Sequence, residues 1–242
     1  MNPDEPLLLV PGLMCNEAVW TPVMPWLAHA VPCQVADHGA ADSLPGMATQ
    51  LLRHAPARFA LAGHSMGARV ALEVYRQAPE RVSRIALLDS GHLPRAVGDA
   101  GMQEQDKRYQ LLHIARTQGV RSMARVWVQG MVHPQRLSDT VLIEAILQMF
   151  ECKTPEIFAA QIQALLNRPD ATLVLQSLSV PTLIACGDQD LWAPLAQHRA
   201  MHAVVPHAVL EIVAGAGHMA PMEQPQAVAE MLLRWLQSPI AA

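Results

Sequence analysis

The chain has 242 residues, of which 51% are hydrophobic and 16% charged, with a formal net charge of −4. This is enough apolar material for one large domain, or one domain carrying an insertion, and it excludes a disordered chain. A slightly acidic chain with only 4% aromatic residues has no global attraction for nucleic acid or an anionic membrane, so neither partner is expected.

In chain order, residues 7–10 form an uninterrupted apolar run that ends in Pro11-Gly12. Residues 34–37 make a weaker candidate strand. Residues 58–62 end in Gly63 and lead into a helical pattern over 67–77, with Val70, Ala71, Val74 and Ala78 on one stripe. Residues 85–88 end in Asp89-Ser90-Gly91. Residues 92–176 contain no strand run and read as helices over 103–118, 120–130, 138–150 and 155–167, punctuated by Gly119, Pro134 and Pro169. The strand rhythm then resumes. Residues 182–186 end in Gly187, a helix is expected over 194–201, and residues 209–213 end in Ala214-Gly215. A last helix over 225–236 has Pro225 in its first turn and Val228, Met231, Leu232 and Trp235 on one face. Continuous apolar strands alternating with helices predict an α/β fold with a mostly parallel sheet buried on both faces. Residues 1–91 and 177–242 would form its core, and 92–176 a helical insertion.

Cys15, Cys33, Cys152 and Cys186 are scattered and form no CxxC pair. They read as buried small hydrophobes, and the cytoplasm is the expected compartment. The amino terminus is acidic where an export signal would be basic, and the run over 7–10 is too short for such a signal. No apolar stretch approaches the length of a membrane span.

The strongest chemical signal is Gly63-His64-Ser65-Met66-Gly67, which follows an apolar run and opens a helix. A sharp strand–turn–helix places a serine hydroxyl above the sheet edge, beside free N–H groups of the helix's first turn. The competing reading is a helix N-cap serine in a glycine-rich turn. A serine nucleophile needs a base that is held by an acid. His218, in Gly215-Ala216-Gly217-His218, follows a strand and falls on the same sheet edge as Ser65. The acid candidate is Asp190 in Gly187-Asp188-Gln189-Asp190, with Asp188 as its rival; either could instead be a turn carboxylate. The oxyanion donors would be the N–H groups of Met66 and of Leu13, in the loop after the first strand.

With these pieces in view, the chain resembles the α/β-hydrolase fold superfamily nearly end to end. The likeness rests on Leu8-Leu9-Val10-Pro11-Gly12, Gly63-His64-Ser65-Met66-Gly67, Pro79-Glu80-Arg81-Val82, Gly187-Asp188-Gln189-Asp190 with Pro194, and Gly217-His218 followed by Glu223 and Pro225. Within the superfamily it is similar to small carboxylesterases and enol-lactonases. The resemblance implies a sheet of about six strands with helices on both faces and a helical cap. It favours Asp190 over Asp188 and implies a serine hydrolase with the catalytic set Ser65, Asp190 and His218. Two departures stand out: Pro11-Gly12 replaces the family's common His-Gly, and only six residues precede Leu7, so the family's first antiparallel strands are expected to be missing or vestigial.

A small-molecule ester or lactone is the expected substrate, with Met14, Trp20, His64, Met123 and Met219 as pocket candidates. Trp26, Met102, Met131 and Met149 divide between pocket and core on the same reasoning. His198 and His202, spaced i, i+4, could offer two metal ligands, but a solvated pair without a third ligand is the expectation, and so no metal site. Arg121 and Arg125, with Arg116 nearby, read as a charged solvent face. No phosphate-binding loop appears and no cofactor is expected. The alternatives are other chemistry of the same residue set (thioesterase, C–C hydrolase, lyase or perhydrolase) or a non-catalytic ligand binder of the same fold. The oligomeric state is not legible.

Overall fold

The structure, a computed structural model, describes residues 5–239. The expectations that fall on residues 1–4 lie outside the described residues. Six parallel strands, β1 (Leu7–Val10), β2 (Cys33–Val35), β3 (Phe59–His64), β4 (Val82–Leu88), β5 (Thr182–Gly187) and β6 (Val209–Val213), pair in the order β2-β1-β3-β4-β5-β6. The four inner strands β1, β3, β4 and β5 are buried along their whole length. That is why each carries a continuous apolar run. The helices of the core are α1 (Met24–Leu27), α2 (Leu44–His54), α3 (Met66–Gln77), α9 (Leu195–Val204), α10 (Ala220–Glu223) and α11 (Pro225–Gln237). Helices cover both faces of the sheet: α3 packs on β3 and β4, α9 on β5 and β6, and α11 against α1 and β6.

Between β4 and β5 the chain is helical: α4 (Asp99–Gln118), α5 (Val120–Trp127), α6 (Thr140–Glu151), α7 (Pro155–Leu166) and the short α8 (Thr172–Gln176). Local chemistry sets their limits. The Asp139 carboxylate accepts from Leu142 N at the start of α6, and Thr154 Oγ1 accepts from Ile157 N at the start of α7, where Pro155 follows the cap. Gly119, at φ 90°, breaks α4 from α5.

Three expectations need correction. β4 begins at Val82 rather than residue 85: Ser83 and Arg84 are buried within it, Ser83 bonded to Glu5 and the Phe59 carbonyl, and Arg84 donating from Nη1 to the Ser238 carbonyl. β6 is an edge strand with Val209 and Ile212 exposed, not a strand buried on both faces. Helix α2 was not anticipated, although Leu44, Met47, Ala48 and Leu51 carry the helical spacing and are buried. Of the four unpaired cysteines, Cys15 and Cys186 are buried and Cys152 is exposed. Among the described residues no helix is long and apolar enough to cross a membrane.

The register aligns the carboxyl ends of the strands: Val10 lies opposite Gly63, His64 opposite Leu88, Leu88 opposite Ala185, and Gly187 opposite Val213. The loops carrying Gly12, Ser65, Asp89, Asp190 and His218 therefore leave one edge of the sheet. Chain direction across the sheet reverses between β1 and β3, and such a switch point opens a crevice.

Candidate active site

β3 ends at His64 and α3 begins at Met66, so Ser65 makes the whole turn, with φ 55° and ψ −118°. This backbone is costly for a residue with a Cβ, by about 1–3 kcal/mol, and must be held by its surroundings. Ser65 N donates to Leu88 O at 2.9 Å, and Ser90 Oγ donates to Ser65 O at 2.8 Å. The flanking residues must be glycine for lack of room. A Cβ at Gly63 would strike the Gly67 carbonyl, and one at Gly67 would strike the carbonyls of Val10 and Pro11.

His218 Nε2 lies 2.8 Å from Ser65 Oγ, and His218 Nδ1 lies 2.9 Å from Asp190 Oδ2. With Nδ1–H donating to the carboxylate, Nε2 is left to accept from the serine hydroxyl. Asp190 is buried, and its Oδ1 accepts from Trp192 N at 2.8 Å and Ala193 N at 2.9 Å. Burial alone would push its carboxyl up. The His218 charge and these hydrogen bonds outweigh burial and hold it below the ordinary carboxylate range. Asp188 is exposed and accepts from Gly215 N and Ala216 N, so it braces the turn after β6 rather than reaching His218.

His218 is held through its backbone as well. Its N–H donates to Met131 O at 2.6 Å, and its carbonyl accepts from His64 Nε2 at 2.7 Å. Burial lowers the pKa of His64 to about 3, so its ring is neutral. Glu223 Oε1 accepts from Gly217 N at 2.8 Å and Met219 N at 3.2 Å, the two N–H groups flanking His218. Its Oε2 accepts from His133 N at 2.6 Å, which ties the histidine loop to the helical segment. Glu223 stood in the sequence as part of a motif, but nothing there showed that it would brace His218.

On the opposite side of the serine, Met14 N donates to Gln161 Oε1 of α7 at 2.8 Å and Cys15 N donates to Gly12 O. The N–H groups of Leu13 and Met66 have no acceptor among the described residues, and both residues line the cavity at Ser65. The cavity encloses about 290 Å³. Of the five pocket candidates only His64 lines it. Met14, Trp20, Met123 and Met219 are fully buried elsewhere, Trp20 in a T-shaped contact with the His64 ring. Trp26 is exposed. The side chains that do line the cavity include Trp127, Met131 and Leu165 from the helical segment and Trp192 from the Asp190 loop. Trp127 packs on Phe150, Phe158 and Trp192, at ring separations of 5.2, 5.5 and 5.8 Å. Periodicity marked these residues as apolar but not as facing Ser65.

His198 is not solvated as expected. It is fully buried and its Nε2 accepts from Ser90 N at 3.0 Å, while His202 turns to Ala208 O. No group of acidic, histidine or cysteine side chains suited to a metal occurs among the described residues. Arg121 pairs with Glu144 and Glu151 on the surface, and Arg116 and Arg125 are exposed.

Comparison with known proteins bears on the fold and the family. Residues 7–231 match the alpha/beta hydrolase family. The chain is 27% identical over 237 residues to the pimeloyl-[acyl-carrier protein] methyl ester esterase of Nitrosomonas europaea, covering 93% of this chain and 92% of that one. It is 26% identical over 203 residues to the hydrolase YugF of Bacillus subtilis, covering 81% and 72%. Among solved structures it is similar to a malate-bound thermophilic esterase from Thermogutta terrifontis, with a TM-score of 0.83, 25% identity and coverage of 96% and 89%. It shares its fold with the enol-lactonase of Burkholderia xenovorans LB400, with a TM-score of 0.81, 18% identity and coverage of 97% and 92%. The six-stranded parallel sheet, the helices on both its faces and the match over residues 7–231 show that the chain belongs to the alpha/beta hydrolase family.

Proposed function

We propose that the protein is a serine hydrolase that cleaves a small carboxylic ester or lactone through an acyl-enzyme on Ser65. The observation that carries this reading is the continuous hydrogen-bonded series Ser65–His218–Asp190 along the wall of a cavity. His218 Nε2 takes the Ser65 proton as Oγ attacks the carbonyl carbon. Asp190 holds the imidazole in the productive tautomer and stabilises its charged form. The N–H groups of Leu13 and Met66 receive the developing oxyanion. His218 returns the proton to the leaving alkoxide. A water then attacks the acyl-enzyme by the same route and frees Ser65.

The residues between 92 and 176 act in this reading as a cap that excludes water and shapes the acyl site. Support comes from Trp127, Met131 and Leu165 on the cavity wall and from the hydrogen bonds joining Met131 and His133 to the His218 loop. The esterase names of the relatives point to the same reaction class. The reaction as written uses protein groups and water and needs no cofactor. The four unpaired cysteines fit a reducing cytoplasm. The test is turnover of p-nitrophenyl acetate and butyrate: the wild type hydrolyses at least one, and Ser65→Ala lowers kcat at least 10³-fold. A folded wild type inert toward every ester and lactone offered, or a Ser65→Ala variant that retains the activity, overturns the reading.

A further inference from the structure

Arg69 lies four residues after Ser65, so α3 carries it on the same helix face as the serine, one turn or about 6 Å further along the axis. Its side chain lines the cavity. Its one side-chain hydrogen bond among the described residues goes to a backbone carbonyl, Leu93 O, at 3.0 Å, and no carboxylate pairs with it there. Burial, then the nearby Arg168 charge, lowers its pKa to about 9, which leaves it cationic at neutral pH.

Two more guanidinium groups line the same cavity, those of Arg108 on α4 and Arg168 after α7. Their side chains are only 14% and 10% exposed. Both converge on one carboxylate, that of Glu104. Arg108 Nε and Nη2 reach Oε1 at 3.0 and 2.9 Å, while Arg168 Nη1 and Nη2 reach Oε1 and Oε2 at 2.7 and 2.8 Å. Burial would raise the Glu104 carboxyl, but the two arginines outweigh it and bring its pKa to about 2, so it is ionised. Asp89 is the other acid on the wall. It accepts from Gly187 N at 2.9 Å and lies nearest His64, and no arginine pairs with it among the described residues. Three guanidinium groups thus line one cavity, and the only carboxylate paired with any of them among the described residues is that of Glu104. An uncompensated guanidinium there is costly unless an anion joins it, and its planar fork fits a carboxylate with two parallel hydrogen bonds.

We propose that Arg69, backed by Arg108 and Arg168, receives a carboxylate carried by the substrate, so that the ester cleaved is the monoester of a dicarboxylic acid. Docked between Arg69 and the serine, such a substrate has its free carboxylate a few carbons from the scissile carbonyl. Hydrolysis then yields the dicarboxylate and an alcohol. The turnover part of this inference rests on Ser65 as nucleophile; the binding part does not.

The test compares monomethyl succinate, glutarate and adipate with neutral methyl esters of equal chain length. Methanol release is followed for wild type, Arg69→Gln and Arg69→Lys. The wild type should favour at least one monoanion over its neutral counterpart by tenfold or more in kcat/KM. Arg69→Gln should lose that preference, with KM for the anion rising 10- to 100-fold against a much smaller rise for the neutral ester. Arg69→Lys should recover part of the loss, because it restores charge without the fork. Preference for the neutral ester in the wild type overturns the inference, as does an equal effect of Arg69→Gln on both substrates. If no ester is turned over, calorimetric titration of Ser65→Ala with succinate, glutarate and adipate separates the two readings. Binding that weakens at least tenfold in Ser65→Ala/Arg69→Gln sustains the anion site while the hydrolase reading falls. No binding of any of the three overturns the anion site itself.

Discussion

The two walls of the cavity are built in different ways. On the sheet side, the ends of the buried strands β1, β3 and β5 and of the edge strand β6 present Leu13, Ser65, Asp190 and His218, placed by backbone hydrogen bonds and by turns too tight for a Cβ at Gly63 or Gly67. On the helical side, between β4 and β5, the wall is made of side chains: the apolar Trp127, Met131 and Leu165, and the charged Glu104, Arg108 and Arg168. Backbone-set geometry leaves little freedom, which suits atoms that must meet within a few tenths of an ångström. A wall of side chains can change its chemistry one residue at a time without disturbing the sheet. In the proposed reading, reaction geometry belongs to the first wall, and substrate choice to the second together with Arg69 of α3. The contacts of His218 with Met131 and of Glu223 with His133 are where the two meet.

Substitutions sharpen the contrast. The largest effect after loss of Ser65 itself is expected from Asp190→Asn, which keeps the shape but removes the charge that sets the His218 tautomer. kcat should fall about 10³- to 10⁴-fold. Asp188→Asn, two residues away, touches only the turn after β6 and should lower kcat less than threefold. Steady-state kinetics on one activated ester decide between them, and a larger loss in Asp188→Asn would contradict the assignment. On the helical side, Trp127→Ala opens a cavity beneath Phe150 and Phe158. It should cost roughly 3–5 kcal/mol in urea unfolding and raise KM more than it lowers kcat. A collapse of kcat as deep as that of Asp190→Asn would erase the distinction between the walls.

A further effect, in Glu104→Gln, is on stability and depends on pH. The Glu104 carboxyl is held near 2 in the fold, against an ordinary value of 4.5. As pH falls, the unfolded chain takes up this proton first. The stabilisation is complete above about pH 5 and disappears as pH drops through about 2. Glu104→Gln should therefore lose about 2 kcal/mol at pH 7 and clearly less at pH 3.5. Urea unfolding of both proteins at the two pH values checks this, and a gap that stays constant or widens in acid would contradict it.

Much of the sheet-side wall was legible in the sequence, and the reason is physical. Strands buried on both faces must be unbroken apolar runs, and the turns at their carboxyl ends must be glycine-rich where backbones crowd. Ser65 and Asp190 stand just after such runs, and His218 follows the turn after the edge strand β6. Asp188 and Asp190 could not be separated by spacing alone, because only the folded turn shows which carboxylate points inward. The beginning of β4 was hidden by Ser83 and Arg84, which are buried and bond to residues distant in the chain. The helical wall was the least legible. Its helices were readable, but a side chain's facing depends on how those helices dock. Met14, Met123 and Met219 therefore looked like pocket residues and are buried elsewhere, while Arg69, Glu104, Arg108 and Arg168 gave no sign that they would converge.

The most direct test is phosphonylation. A fluorophosphonate forms an Oγ–P bond only with an activated serine, and fluoride departs. With Ser65 as nucleophile and His218 as its base, intact wild-type protein should gain one phosphonyl adduct that maps to the peptide containing Ser65. Ser65→Ala and His218→Ala, folded to the same degree, should gain none. A folded wild type that stays unlabelled, an adduct on another residue, or labelling that survives in Ser65→Ala would contradict the assignment of Ser65 as the nucleophile.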